Sequence, residues 1–387
     1  MPEAVIVAAK RSPIGRAHKG SFADVRPEDL LAHAMKAVLE ETKIDPSTID
    51  DVITGSVGGA QINIGRSAAL LAGIPETVPA TTVNRYCSSS LQATRMAFHA
   101  IKAGEGDCYM IGGSERSSRL EGEGGGRGGG GGGGVGINPE LLNKWNLFIP
   151  MGMTAENVAE KFNVPRERMD EYAQRSQERA VAAQESGFFD REIVAFTKED
   201  GTVVAKDDGP RASSTVEKLS QLPPVFKPEG GKVTAGNSCP LNDGGAALLV
   251  MSEERAKADG LKPLVRIIAS AATGLHPEIM GVGPIEAVKK ALGLANMKID
   301  DVDVMELNEA FAAQVLPVCD EVGVDPFSDK LNPHGGAIAL GHPFGMTGAR
   351  IMTTLINDLQ TADQTIGLET MCVGGGQGMA MIVERVA

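Results

Sequence analysis

Aromatic side chains are scarce in this chain, at 4% of 387 residues, while glycine is abundant at 48. That balance tilts the composition toward tightly turned α/β structure. Positive charge is also short: 37 Lys and Arg stand against 50 Asp and Glu, a formal net charge of −13. Such a chain is a poor general partner for nucleic acid or an anionic membrane, so any anionic ligand has to be held locally. Long hydrophobic runs are missing too. No stretch approaches the roughly 20 apolar residues of a spanning helix, and the N-terminal "MPEAVIVAAKRSPIG" has too short an apolar run for a secretory signal. The expected location is cytoplasmic. Cysteines number five, Cys87, Cys108, Cys239, Cys319 and Cys372, an odd count without paired zinc-type spacing. Neither a disulfide framework nor a structural metal is indicated, which leaves free thiols.

What is present is length and alternation. A chain of 387 residues exceeds the roughly 250–300 that one core organises, so at least two packed units are expected. Strand-like runs at 4–9, 52–56, 108–111, 246–251 and 302–307 alternate with helical patterns such as 29–42 and 155–161, the signature of α/β layers. The chain also echoes itself. Asp50-Asp51-Val52 is answered by Asp300-Asp301-Val302, and "DCYMIGGSE" by "TIGLETMCVGGG", in the same order, which points to a duplicated α/β unit. Between the echoes lies a more polar stretch, about 116–232, that reads as an insertion. Its "EGEGGGRGGGGGGGVG" lacks the Gly-Lys-Ser/Thr ending of a P-loop and reads as a flexible loop.

Chemistry concentrates at a few places. In "TTVNRYCSSSLQATRMAFHAIKAG" the residues after Cys87 repeat apolar positions at helical spacing, which puts this thiol at a helix N-terminus. The free N–H groups there favour a thiolate and lower a cysteine pKa from about 8.5 toward about 4–7. On local sequence alone, a small buried thiol packing a strand-to-helix corner fits slightly better, since free cysteine is among the most buried residue types. Histidines number six, and His334 and His342 share one glycine-rich segment, "NPHGGAIALGHPFGMTGAR". Cys372 precedes three glycines whose N–H groups suit an anion.

Taken together and in this order, "VNRYCSSSLQA", "TAGNSCPLNDGGAA", "NEAFAAQ", "GGAIALGHP" and "MCVGGGQG" resemble the thiolase family over essentially the whole chain. The resemblance implies an α/β thiolase fold: two duplicated α/β halves in layered α/β/α/β/α packing, residues 1–118 with 233–254 and residues 255–387, and an inserted loop domain, 119–232. It implies an acyltransferase that cleaves 3-ketoacyl-CoA with CoA through an acyl-cysteine. Cys87 would be the nucleophile, and Cys372 the acid that protonates the departing enolate and the base that deprotonates CoA. One oxyanion hole would be His342 with a water held by Asn308, the other the N–H groups of Cys87 and Gly374. A lost donor in such a hole costs about 3 kcal/mol. His342 would also help keep Cys87 ionised, whereas the motif requires no histidine at position 334.

For coenzyme A, a co-substrate with no tightly bound cofactor or metal beside it, the family suggests Arg211 near the adenine or phosphates and Ser238 and Cys239 along the pantetheine. The family often has serine where Cys239 stands, and glycine where Ser90 stands. Met151, Met280 and Phe311 suit the acyl pocket. Pro150 replaces a histidine common in biosynthetic acetoacetyl-CoA thiolases, which favours a degradative enzyme of β-oxidation over that alternative. A decarboxylating ketoacyl synthase is disfavoured by Cys372, and an inactive CoA-binding scaffold by the intact set of Cys87, Asn308, His342 and Cys372. A homodimer or homotetramer follows by resemblance, with a hydratase/dehydrogenase subunit as a possible partner.

Overall fold

The computed structural model describes residues 2–58, 62–118 and 138–386; the glycine-rich stretch lies outside the described residues. Its first half contains β1 (Ala4–Arg11), α1 (Pro27–Thr42), β2 (Asp51–Gly55), α2 (Ile64–Leu71), β3 (Ala80–Val83), α3 (Ser89–Ala103), β4 (Cys108–Arg116) and, after the insertion, β5 (Asn242–Ser252). These strands lie in the order β3-β2-β4-β5-β1, with β2 parallel to β3 and β4, and β5 antiparallel to β4 and β1. The second half contains β6 (Val265–Gly274), α6 (Gly283–Ala295), β7 (Val304–Leu307), α7 (Ala312–Val322), α8 (Thr347–Thr361), β8 (Ile366–Val373) and β9 (Gln377–Arg385). Their order is β7-β8-β9-β6, and a single parallel bridge from Met305 to Leu331 stands where β3 stands in the first half.

The two orders are the same topology. The echo at Asp50 and Asp300 precedes β2 and β7, and the echo at Asp107 and Thr365 enters β4 and β8. The halves join edge to edge at two residue pairs, Val5 with Arg266 and Ile6 with Val265. Helices α1 and α2 cover the outer face of the first half and α6 that of the second, while α3 and α8 pack on each other between the sheets. A Cβ at Gly348 would stand 2.4 Å from the Leu91 nitrogen, so only glycine lets α8 approach α3 this closely.

Local sequence explains the elements. Helix α1 opens on Pro27 with Glu28 and Asp29 in its first turn, buries Leu30, Leu31, Ala34, Met35 and Val38 along one stripe, and stops at Lys43 in the left-handed region. Strand β5 is buried along its whole length, as a strand flanked on both sides and covered on both faces must be. The insertion supplies α4 (Met151–Lys161) and α5 (Arg166–Ser186), whose apolar faces join the core of the second half. Tyr172 and Ser176 of α5 donate to the two carboxylate oxygens of Glu309, at 2.8 and 2.6 Å, and so fix the chain beside Asn308.

Candidate active site

Cys87 sits on a strained turn between β3 and α3. Tyr86 holds φ +45°, an uncommon conformation for a bulky residue. The three serines that follow explain how the turn persists. Ser88 donates its hydroxyl to Arg85 O at 3.1 Å, and Ser89 donates to Tyr86 O at 2.6 Å while accepting from Arg85 N at 3.0 Å. Ser90 is fully buried, and its hydroxyl accepts the Ala349 N–H at 2.9 Å, so it ties α3 to α8 where the family often has glycine.

The glycine turn after β8 lies across this turn. A Cβ at Gly374 would stand 3.0 Å from the Tyr86 ring. Arg85 donates to Gln377 Oε1 at 2.9 Å, and Gln377 Nε2 donates to Gly374 O at 3.2 Å. The N–H groups of Gly374 and of Cys87 itself act on the Cys87 sulfur and pull its pKa down, but burial outweighs them and, with the Glu115 carboxylate adding to it, pushes the thiol up to about 11. This corrects the expectation of a resting thiolate. Cys87 is half-buried, and a helix N-terminus lowers a cysteine pKa only where the sulfur keeps more of its solvation than it does here.

His342 is buried and turns its two nitrogens to different tasks. Thr347 Oγ1 donates to Pro343 O at 2.8 Å and lies 2.7 Å from His342 Nδ1. The hydroxyl has one proton and gives it to the carbonyl, so Nδ1 must carry the ring proton and donate to Thr347. The lone pair is then on Nε2, 3.3 Å from Asn308 Nδ2. Burial, with Arg350 adding to it, lowers the imidazole pKa to about 3. His342 is therefore neutral and does not hold Cys87 ionised as an imidazolium; its Nε2 is a proton acceptor. Asn308 Oδ1 is buried without a partner, as an oxygen awaiting a water would be.

Cys372, at the end of β8, is buried, and burial together with Cys87 and Cys239 raises its pKa well above the ordinary thiol value. Its S–H donates to Gln314 Oε1 at 3.5 Å. Cys239 likewise feels Cys87, so three thiols share one locus, and the Cys239 N–H donates to Ala310 O at 3.0 Å. The loop of His342 is drawn to the same place by Glu115, whose oxygens accept from Val57, Gly58 and Gly345 N–H groups at 2.8–3.0 Å.

Elsewhere, Met280 and Phe311 are buried and Met151 half-buried in one apolar cluster with Cys372. Ser238 gives its hydroxyl to Thr234 O at 2.7 Å, which leaves it no proton for a ligand. Arg211 is exposed overall, yet partial burial of its guanidinium, with Arg16 adding to it, lowers its pKa. His334 stacks on Phe188 with ring centroids 3.5 Å apart and pairs with Asp358, apart from this locus. Among the described residues no three His, Cys, Asp or Glu side chains are grouped to hold a metal, and no helix is long and apolar enough to cross a membrane. Sequence reading passed over Gln314 and Thr347, although both lie in quoted motifs, because their partners come from other segments or from a backbone carbonyl.

A duplicated five-layer α/β fold with two cysteines, a histidine and an asparagine at the seam is the arrangement of one enzyme class, and the chain belongs to the thiolase family. Residues 4–254 match the thiolase N-terminal domain and residues 261–385 the thiolase C-terminal domain. The chain is 46% identical over 395 residues to a 3-ketoacyl-CoA thiolase of Aeromonas hydrophila subsp. hydrophila, with 100% of both chains covered. It is also 46% identical over 404 residues to a β-ketoadipyl-CoA thiolase of Acinetobacter baylyi, again over 100% of both. Among solved structures it resembles human mitochondrial 3-ketoacyl-CoA thiolase in complex with CoA, with TM-score 0.89, 36% identity and coverage of 100% and 98% of the two chains. The Bacillus anthracis acetyl-CoA acetyltransferase also has TM-score 0.89, with 39% identity and coverage of 100% and 99%.

Proposed function

We propose that this chain is a 3-ketoacyl-CoA thiolase that transfers the shortened acyl group to CoA through Cys87. The observation that carries this reading is the convergence of Cys87, Cys372 and the Gly374 N–H at one locus. His342 Nε2 takes the Cys87 proton as the sulfur attacks the β-carbonyl, and the new Nε2–H, with a water on Asn308, meets the developing oxyanion. Collapse of this adduct breaks the bond between the α and β carbons, and the enolate takes the Cys372 proton to become acetyl-CoA. Cys372 then removes the proton of the incoming CoA thiol. The CoA sulfur attacks the acyl-Cys87 thioester, whose oxyanion lies between the Cys87 and Gly374 N–H groups. The expelled Cys87 thiolate recovers its proton from His342.

Arg211, with Arg16 beside it, suits the CoA phosphates, and the chain around Cys239 suits the pantetheine. A second reading, condensation of two acetyl-CoA, draws support from the likeness to the B. anthracis acetyltransferase. Release of acetyl-CoA from acetoacetyl-CoA plus CoA, extended to a series of longer 3-ketoacyl-CoA substrates, tests both. Turnover confined to the four-carbon substrate favours the second reading, and no turnover on any member defeats both.

The enzyme works as a homodimer in this reading. Strand β3 is an edge strand, Leu70, Leu71 and Met96 are exposed beside it, and Arg85 Nε, Gln92 Oε1 and Arg95 Nε are buried there without partners. A second copy of this chain covers such an edge and its orphan polar atoms. Light scattering at micromolar concentration is expected to give the dimer mass, and an active monomer would overturn this assignment.

A further inference from the structure

Gln314 lies in the first turn of α7, six residues after Asn308, and only 3% of it is exposed. Its position is set from three sides. A Cβ at Gly281 would stand 2.2 Å from the Gln314 amide carbon, so the glycine there makes room for the side chain. The amide nitrogen points to Thr154 Oγ1 at 3.5 Å and Met280 Sδ at 3.8 Å, both long and weak contacts, while the amide oxygen accepts the Cys372 S–H at 3.5 Å. A buried primary amide with weakly engaged donors beside a reactive thiol is costly to keep unless the donors find a better acceptor at some stage. The thiol provides one, because it loses its proton during the reaction.

We propose that Gln314 is the positioning residue of Cys372, its amide oxygen accepting the S–H of the resting thiol and its amide nitrogen donating to the thiolate left after that proton moves to the enolate. The change requires that the amide turn end for end, which exchanges two groups of nearly equal size, and that Thr154 swing its hydroxyl proton from Met151 O to the amide oxygen. The assignment rests on the acid–base reading of Cys372 given above. It separates Gln314 from Met280 and Thr154, which hold the amide but do not reach the sulfur.

The test uses Gln314→Leu and Gln314→Met, which keep bulk and remove both ends of the amide. Intact-protein mass spectrometry follows Cys87 acylation by acetyl-CoA, and steady-state thiolysis of acetoacetyl-CoA gives kcat and KM. Cys87 acylation makes no carbanion and expels a thiolate that can leave without a proton, so both variants are expected to lose far less in acylation than in thiolysis, with KM little changed. Thiolysis kcat is expected to fall about a hundredfold, the scale on which small misplacements of reacting groups act. A kcat within about threefold of wild type in both variants overturns the proposal, on a range well inside that same scale. A parallel loss of acylation and thiolysis also overturns it, by making Gln314 a fold residue. Near-normal thiolysis by Cys372→Ala, measured beside them, removes the reading on which the proposal stands, and that failure is distinct from the first two.

Discussion

Cys87→Ala is expected to abolish acyl-enzyme formation, and Cys372→Ala to leave it standing while carbon–carbon cleavage falls by about 10²–10⁴, the usual contribution of a general acid–base group. The asymmetry follows from what each thiol is asked to do. Alanine at 87 offers no nucleophile, and neither of the neighbouring thiols has both N–H groups aimed at its sulfur as Cys87 has. Without the Cys372 sulfur, Cys87 still reacts with acetyl-CoA, because that exchange expels a stable thiolate and makes no carbanion. Cleavage of a 3-ketoacyl-CoA expels an enolate, which needs a proton as it leaves. Incubation with acetyl-CoA followed by peptide mass mapping, beside a thiolysis assay, reads both outcomes. An acyl mass on the Cys372 peptide would reverse the roles.

The second large effect belongs to His342. His342→Ala is expected to slow Cys87 acylation by a 3-ketoacyl-CoA about 10³-fold, since one substitution removes the base for the thiol and the donor to the β-carbonyl oxyanion. The wild-type pH profile carries a sharper signature. An imidazole lowered to about 3 is already neutral at pH 5, and a Cys87 thiol raised to about 11 is still protonated at pH 9. The reactive pair, neutral imidazole and neutral thiol, is therefore the majority form throughout, and the single-turnover acylation rate should be flat between those limits. Protonation of the imidazole removes the base only well below pH 5. An inflection near pH 6.5, the ordinary histidine value, would show that the imidazole titrates in this range and defeat the neutral-base mechanism.

Much of this site was legible because its chemistry is carried by rare residues in local motifs. Cys87, Asn308, His342 and Cys372 each stand in a short segment whose turn residues were visible, and the two echoes foretold the repeated strand order. What stayed hidden depended on depth. A sequence shows that Cys87 begins a helix, but not that its sulfur is desolvated with Glu115 nearby. It shows Thr347 five residues after His342, but not that the hydroxyl spends its proton on Pro343 and so fixes the ring tautomer. The same limit set the strand ends. Strand β5 begins at Asn242, before the apolar run starting at 246, because buried Asn242 and Asp243 pair with Arg16, Gly15 and Arg116 across the sheet. Strand β7 begins at Val304 instead of Val302 because Ile299–Asp301 forms a 3₁₀ turn. The polar insertion read as a helical block with charged loops, but its sequence does not show that α5 buries Tyr172 against Glu309.

The pairing of β1 with β5 also dictates when the enzyme can assemble during its own synthesis. Ala4 meets Ser252, so the first strand leaves the ribosome without the neighbour that completes its sheet. At about 5–20 residues per second, that neighbour follows roughly 12–50 seconds later. Through that interval β1, with almost every residue destined for the interior, is an unpaired apolar strand open to wrong pairing. The nucleophile is made early, but the Cys372 thiol and the Gly374 N–H come from the other half of the chain, so a chain that has not yet reached them carries Cys87 without the means to use it.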